Sequence, residues 1–453
     1  MAKLTRKLAR KYKSLTTVST QFAIGLPQQF QPWLAGNKHS VRRRGAGLSR
    51  AQQSVSKLMS NHKWKWPKQD IVFISDLHAD AQALTDSLVA CGSIKPVRND
   101  ESIKLTSVGK QRVHVFGGDF FDKGPSNLAL LRQLKCFIEA GAKVKLLAGN
   151  HDIRVYYGMR YAGLTRDPRN GHFFVRMGVK AVPFLAEIKR DYLTESDYQR
   201  LPDDDGCARL LIPQHEWHQQ FPKLAAWMMP PPAIEREVSK INNKSAKFRQ
   251  ACTEAGLSMR TAYAAALKWQ QLFLQPEGEF HWFFEQLQLT YKRGSFLFVH
   301  AGLDDRMAAM LHDQGIGFAN KLFKLQLSGS AFEFYYGPVA NMIRTKYRSV
   351  DMPLSQHGAN LAHAAGVHAI VHGHRNLLRG QRISSRKSLI HFECDITLDS
   401  HSRAKEGLTG AGAGATIIDA KGAVIGISND YQWIKVFDPK GIRADYKQQA
   451  LTA

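Results

Sequence analysis

Val115-Phe116-Gly117-Gly118-Asp119-Phe120-Phe121-Asp122-Lys123-Gly124-Pro125 decides how this chain is read. An apolar run ends in two glycines, two carboxylates follow three positions apart, and Gly124-Pro125 closes the turn. A buried strand that stops at a tight turn has this pattern, and it delivers acids to the edge of a sheet. Asp119, first beyond the strand, is expected to bridge two metal ions, with the other motifs converging on it.

The same rhythm recurs on either side. Residues 70–75 and 143–148 are short apolar runs of the kind a parallel sheet buries on both faces. Between them, 81–91 and 127–140 read as helices. The second has Leu128, Leu131, Leu134 and Ile138 on one face and Gly141 as its stop. Strand, crossover helix, strand predicts a largely parallel sheet whose functional residues lie beyond the carboxyl ends of the strands. The alternation fades over 153–292, where aromatic-rich helical stretches take over. Pro230-Pro231-Pro232 must separate two elements. Residues 234–255 and 258–273 read as a helical hairpin, with Gly256 as C-cap and Ser258 as N-cap. A DNA-reading helix-turn-helix is disfavoured there, because no basic residues cluster at the start of the second helix. Residues 172–292 are therefore read as a helical cap inserted into the core. Strand patterns return at 295–300 and 368–372. They continue at 389–392, 415–419, 423–427 and 433–437, with turns at Gly422 and Asn429-Asp430. The fold class is α/β, with the main domain at 70–437 and a polar tail at 438–453.

Residues 1–69 have a different composition. They hold 15 of the 63 Lys and Arg and no Asp or Glu, in a chain of 453 residues and net charge +25. They are read as a basic arm, disordered by itself and suited to an anionic surface, nucleic acid or lipid. Leu4, Leu8, Tyr12 and Leu15 recur at helical spacing within it. No apolar run approaches a membrane span, and residues 16–26 are too polar for a secretory signal. Cys91, Cys136, Cys207, Cys252 and Cys394 are odd in number and form no C-x-x-C pair, which points to a reducing, cytoplasmic compartment.

Five apolar runs end in metal-ligand residue types: Asp76-Leu77-His78, Asp119 to Asp122, Asn150-His151-Asp152, His300-Ala301-Gly302 and Gly373-His374. Each alone is a weak signal; five in order are not. On an extended chain Asp76 and His78 point the same way and can reach one ion. Carboxylate oxygen with imidazole nitrogen suits manganese, iron or zinc better than calcium. A bridging Asp119 would let two ions polarise a shared water into hydroxide, which attacks phosphorus in line. His151 is placed to protonate the leaving alkoxide, and Asp122 to hold the imidazolium. Gly410, Gly412 and Ala415 match a dinucleotide fingerprint in form only, because a strand rather than a helix follows.

The ordered motifs GDFFDKG, GNHD, HAGL and GH resemble those of the calcineurin-like metallophosphoesterases. They are most similar to the phosphoprotein phosphatase branch, which has GDxxDRG, GNHE, HGGL and a later His. The near-terminal run 414–419 is similar as well. The resemblance implies a β-sandwich of two mixed sheets flanked by helices. It places one metal on Asp76, His78 and Asp119 and a second on Asp119, Asn150, His300 and His374. It makes His151 the general acid and Asp122 its partner. It also calls for phosphate-binding cations, for which Lys123 and Arg344 are chosen, with Arg348 in reserve. His372 is read as a supporting histidine. The first motif, SDLHA, departs from the branch's GDIHG, and Lys123 replaces its Arg, giving a point charge in place of a bidentate fork. The expected function is hydrolysis of phosphoserine or phosphothreonine in proteins. Two alternatives stand beside it: a dinucleoside tetraphosphate or other nucleotide hydrolase, and a basic nucleic-acid-binding protein with a vestigial phosphatase core.

Overall fold

The computed structural model describes residues 9–11, 25–33, 55, 57–59, 62–96, 103–163 and 167–439. Two mixed sheets stack, with helices outside both. The first sheet draws on both ends of the chain. Gln29–Pro32 (β1), Ile71–Ile74 (β2), Val113–Phe116 (β3), Lys143–Leu147 (β4) and Leu287–Gln288 (β5) come from the earlier part. The second sheet is built from Thr290–Arg293 (β6), Phe296–Val299 (β7), Ala369–His372 (β8), Arg382–Arg386 (β9) and Leu389–Glu393 (β10). Gly414–Asp419 (β11), Ala423–Ser428 (β12) and Trp433–Phe437 (β13) then return to the first, whose order is β1-β13-β12-β11-β2-β3-β4-β5. The second has the order β6-β7-β8-β10-β9. β2, β3, β4 and β5 run parallel, as do β7, β8 and β10, while β11 to β13 form an antiparallel meander.

Period-two alternation divides each strand between two cores. Ile71, Phe73 and Val115 pack between the sheets against Phe298, Val371 and Phe392, with the Phe73 and Phe298 rings 5.9 Å apart. Val72, Ile74 and Phe116 face the helices. Both faces of β2 are therefore buried, which is why its sequence is apolar throughout. The helix Asn127–Glu139 buries Leu128, Leu131 and Leu134, as its spacing predicts, and Phe137 as well, whereas Ile138 is only partly buried.

The helical segment expected over 172–292 is present, but it ends at Gln286, and the last residues of that range are β5 and the start of β6. Its hairpin is formed by Pro231–Glu254 and Met259–Leu274, with Gly256 at φ +66° and the Ser258 side chain accepting from Thr261 N. Two of its ties to the core lie beside the loop after β3. Glu187 of the helix Ala181–Tyr192 accepts from the backbone N–H groups of Asn127 and Leu128, a carboxylate set on a helix N-terminus. Phe184 and Phe283 pack on Phe121, with ring centroids 5.5 and 5.3 Å away. The loop that carries Asp119 and Asp122 is thus clasped by cap aromatics.

The expectation of a free arm over 1–69 does not hold for the part of it that is described. β1 pairs in parallel with β13, Gln29 beside Trp433, and Trp33, Val55 and Met59 are buried in the inter-sheet core. Pro32 is tolerated because β1 is an edge strand. Trp64 and Trp66 pack their rings on Phe296 at 5.6 and 5.0 Å. The proposed helical repeat of Leu4, Leu8, Tyr12 and Leu15 lies outside the described residues, as does all of the tail beyond residue 439. No helix among the described residues is long and apolar enough to cross a membrane.

Candidate metal centre

Every motif singled out in the sequence ends a parallel strand. Asp76 and His78 follow β2, Asp119 and Asp122 follow β3, Asn150 and His151 follow β4, His300 follows β7 and His374 follows β8. The turns are sharp. Asp76, His78, Asp119, Asp122, Lys123 and His374 all have φ between +44° and +71°, which non-glycine residues adopt only where the surroundings over-determine them.

Asp119 sits at the convergence. Its Oδ1 accepts the backbone N–H of His151 at 2.8 Å, inside the first turn of the helix Asn150–Arg160. Its Oδ2 faces three imidazole nitrogens: Nε2 of His300 at 3.5 Å, of His78 at 3.8 Å and of His151 at 3.9 Å. Asp119, His300 and His374 form one group with ligating atoms within 4.8 Å of one another, and His78, Asp119 and His151 form another. Asn150 Oδ1 is 3.2 Å from His300 Nε2. Asp76 Oδ1 is 3.9 Å from His78 Nε2, and its Oδ2 accepts from Ser75 Oγ and from the backbone N–H of His374. All eight residues expected to hold metal or move a proton therefore meet around one carboxylate.

The imidazoles are oriented for ligation. His78 Nδ1 lies 3.1 Å from Phe121 O, and His300 Nδ1 lies 2.7 Å from Gly117 O. A carbonyl accepts only from N–H, so each ring carries its proton on Nδ1 and turns the Nε2 lone pair inward. His374 is pinned the other way, with Nε2 donating to Arg344 O at 3.0 Å, which frees Nδ1. The charge balance also favours a cation. Burial pushes the Asp76 carboxyl up to about 6. Burial, and then Asp76, raises that of Asp395 well above its usual range. Asp395 Oδ2 is a buried oxygen with no hydrogen-bond partner among the described residues. Nitrogen and carboxylate donors, excess buried negative charge and an orphaned oxygen together fit a pair of transition-metal ions.

Three neighbours were not legible as site residues. Asp152 is fully buried: its Oδ2 accepts from Gly149 N at 2.7 Å and Asp119 N at 2.9 Å, and its Oδ1 from Phe120 N at 2.7 Å. It stitches the loop after β3 to the loop after β4. Burial and Asp119 push its carboxyl up to about 7 while the backbone N–H groups pull it down. Each oxygen already faces an N–H, so a proton on either would lack an acceptor. The second is Arg154, which pairs with Asp122 and stands 2.6 Å from His151 Nδ1, where Asp122 Oδ2 also lies at 2.8 Å. Burial and Arg154 bring His151 down to about 4, against the pull of Asp119 and Asp122. Burial opposes ionisation of Asp122, yet Arg154 and His151 hold it below the usual carboxylate range. Asp395 is the third.

Lys123 Nζ is 2.8 Å from His78 Nε2. Arg344 and Arg348 line the same cavity of about 560 Å³, together with Tyr335 and Tyr336. Arg348 is mostly exposed and lies 3.8 Å from Asp351. His372 hydrogen-bonds Arg375 at 3.0 Å and packs on His391, away from the ligands.

Residues 70–243 match the family model of the calcineurin-like phosphoesterases. No curated protein sequence matches the chain. Among solved structures it is similar to the cold-active protein-tyrosine phosphatase of the psychrophile Shewanella sp., at 14% identity and TM-score 0.40, covering 82% of this chain and 80% of that one. It is also similar to a protein serine/threonine phosphatase from Saccharomyces cerevisiae, at 12% identity and TM-score 0.35, covering 86% and 88%.

Proposed function

We propose, from the match of residues 70–243 to the calcineurin-like phosphoesterases and the geometry of the site, that the chain hydrolyses phosphomonoesters, foremost phosphoserine or phosphothreonine in proteins, at the cavity around Asp119. One observation carries the reading: a single buried carboxylate oxygen faces the Nε2 atoms of His78, His151 and His300. Asp76, His78 and Asp119 would hold one ion, and Asp119, Asn150, His300 and His374 the other, from among manganese, iron and zinc. Such ions, when bound, supply Lewis acidity and an activated water.

The chain's own residues do the rest. Lys123 and Arg344 neutralise phosphate oxygens from opposite parts of the chain. His151 turns Nε2 toward Asp119 and the cavity, in position to meet a leaving oxygen. Burial, and then Arg154, keep its imidazole neutral in the free protein. An arriving phosphate dianion adds negative charge beside it and favours the protonated form that a general acid needs. Asp122 accepts from Nδ1 and steadies that cation.

Metal analysis followed by hydrolysis of an aryl phosphate tests the proposal. The wild type should bind about two ions per chain and release phosphate. Asp119→Asn should lose both, and an active, metal-replete Asn variant would refute the site. A panel of phosphopeptides and dinucleoside tetraphosphates decides the substrate class. Faster turnover of the tetraphosphate would favour the nucleotide reading.

A further inference from the structure

Beside the cavity around Asp119 stands a line of cations that phosphate hydrolysis alone does not require. Tyr335, in the cavity wall, has the Arg176 guanidinium carbon 4.0 Å from its ring centroid and that of Arg344 4.9 Å away. Behind it Lys244 Nζ donates to the carbonyl of Arg176. Lys244 belongs to the cap helix Pro231–Glu254, which carries Arg236, Lys240, Lys244 and Lys247 round an open groove of about 680 Å³. Their spacing keeps them on neighbouring turns of one face. The acids close by are Glu237, paired with Arg176, and Glu235 at the groove. The cations disturb one another: burial, Arg154 and Arg176 bring Lys244 down to about 7, and burial and Arg154 bring Lys180 down to about 8. A crowded row of like charges is unfavourable in isolation and is relieved by an anion lying across it.

Resting on the phosphoesterase reading, we propose that the substrate is an acidic phosphopeptide. Its scissile phosphate enters the cavity, and carboxylate or phosphoryl groups on one flank lie along Arg344 and the Arg236–Lys247 face of the cap helix, behind which buried Arg176 adds its charge. The length of the track selects a peptide. Arg236 and Lys247 are eleven positions apart, about 17 Å along a helix. About five extended peptide residues cover that distance, and a triphosphate tail does not.

Two measurements test this. In the first, the metal-loaded protein is given an aryl phosphate, a neutral monophosphorylated peptide and the same peptide with acidic flanking residues. The acidic peptide should have the highest kcat/KM, by roughly tenfold over the neutral one at low salt, with the preference shrinking as salt rises. In Arg236→Gln/Lys240→Gln/Lys247→Gln that ratio should fall to near one. In the second, fluorescence anisotropy follows a labelled acidic phosphopeptide bound to the metal-free protein. The triple variant should bind it roughly tenfold more weakly. Equal turnover of both peptides, a preference kept by the triple variant, or displacement of the label by tripolyphosphate as readily as by unlabelled peptide would overturn the proposal. If no phosphoester is hydrolysed, the phosphoesterase reading fails by itself, and the anisotropy measurement still decides whether the track binds acidic peptide.

Discussion

Asp152→Asn asks whether one buried carboxylate positions another, Asp119, at the convergence of the candidate metal centre. The wild-type side chain accepts backbone N–H groups of Gly149, Asp119 and Phe120 at 2.7–2.9 Å. The isosteric amide keeps one oxygen. Left facing Gly149 and Asp119, it satisfies those two, and its NH2 then meets the N–H of Phe120. An orphaned buried donor costs about 1–3 kcal/mol, and the surviving bonds lose charge assistance worth about 1 kcal/mol. The expected loss is about 2–4 kcal/mol, which a domain stable by about 5–15 kcal/mol survives folded. Melting should fall by several degrees. Because the released N–H belongs to Phe120, the residue directly after Asp119, the Asp119 carboxylate shifts as well. A displacement on the order of 1 Å at a reacting centre lowers turnover roughly a hundredfold. Urea denaturation and kcat/KM on an aryl phosphate read the two effects. An Asn variant as stable and as active as the wild type would mean that Asp152 already carries a proton in the fold, and the positioning argument would be wrong. A destabilised variant with full activity below its melting point would sever the link to Asp119.

Gly149→Ala would place a Cβ 2.2 Å from both Asp119 N and Asp119 Oδ1, so kcat/KM should drop roughly a hundredfold with a stability loss of about 1–3 kcal/mol; unchanged kinetics would show that the loop yields. Arg154→Met leaves Asp122 as the partner of His151 and removes the guanidinium that depresses it. The imidazole should rise from about 4, and because it must be protonated to act, the alkaline limb of the kcat profile should move to higher pH; a stationary limb would argue against His151 as the acid. Glu393, buried beneath Arg375 and Arg382, is held down to about 2 by them against the effect of burial. Its folded value lies below its unfolded one, so its contribution, on the order of 3 kcal/mol, is present above pH 4.5 and lost as pH falls toward 2. Urea midpoints should therefore fall less steeply over that window in Glu393→Gln, and parallel curves would refute the assignment.

The strand-end motifs were legible because each puts a ligand-type residue directly after an apolar run, and a parallel sheet gathers such ends at one edge. Asp152 stood in view beside His151 and still gave no signal. Two of its partners are backbone N–H groups some thirty residues earlier, which have no letter in a sequence. Arg154 was hidden for a related reason: its effect depends on a helix turning it back onto Asp122. The hairpin at Gly256 and Ser258 was readable because caps are local chemistry. β1 was not, since Gln29-Phe30-Gln31-Pro32 lacks the composition of a strand and acquires its pairing from β13. β5, two residues long, falls below what periodicity can resolve.

That pairing of β1 with β13 also sets an order of assembly. The two strands are separated by nearly the whole polypeptide. At about 5–20 residues per second, a ribosome needs roughly 20–80 s between them. Through that interval Phe30 and Trp33 emerge without the neighbours that later cover them. Residues 14–37, which contain both rings, carry no charge, and the nearest cations are Lys13 on one side and Lys38 on the other. The edge of the first sheet therefore closes last, once the strand from the far end of the chain has left the ribosome.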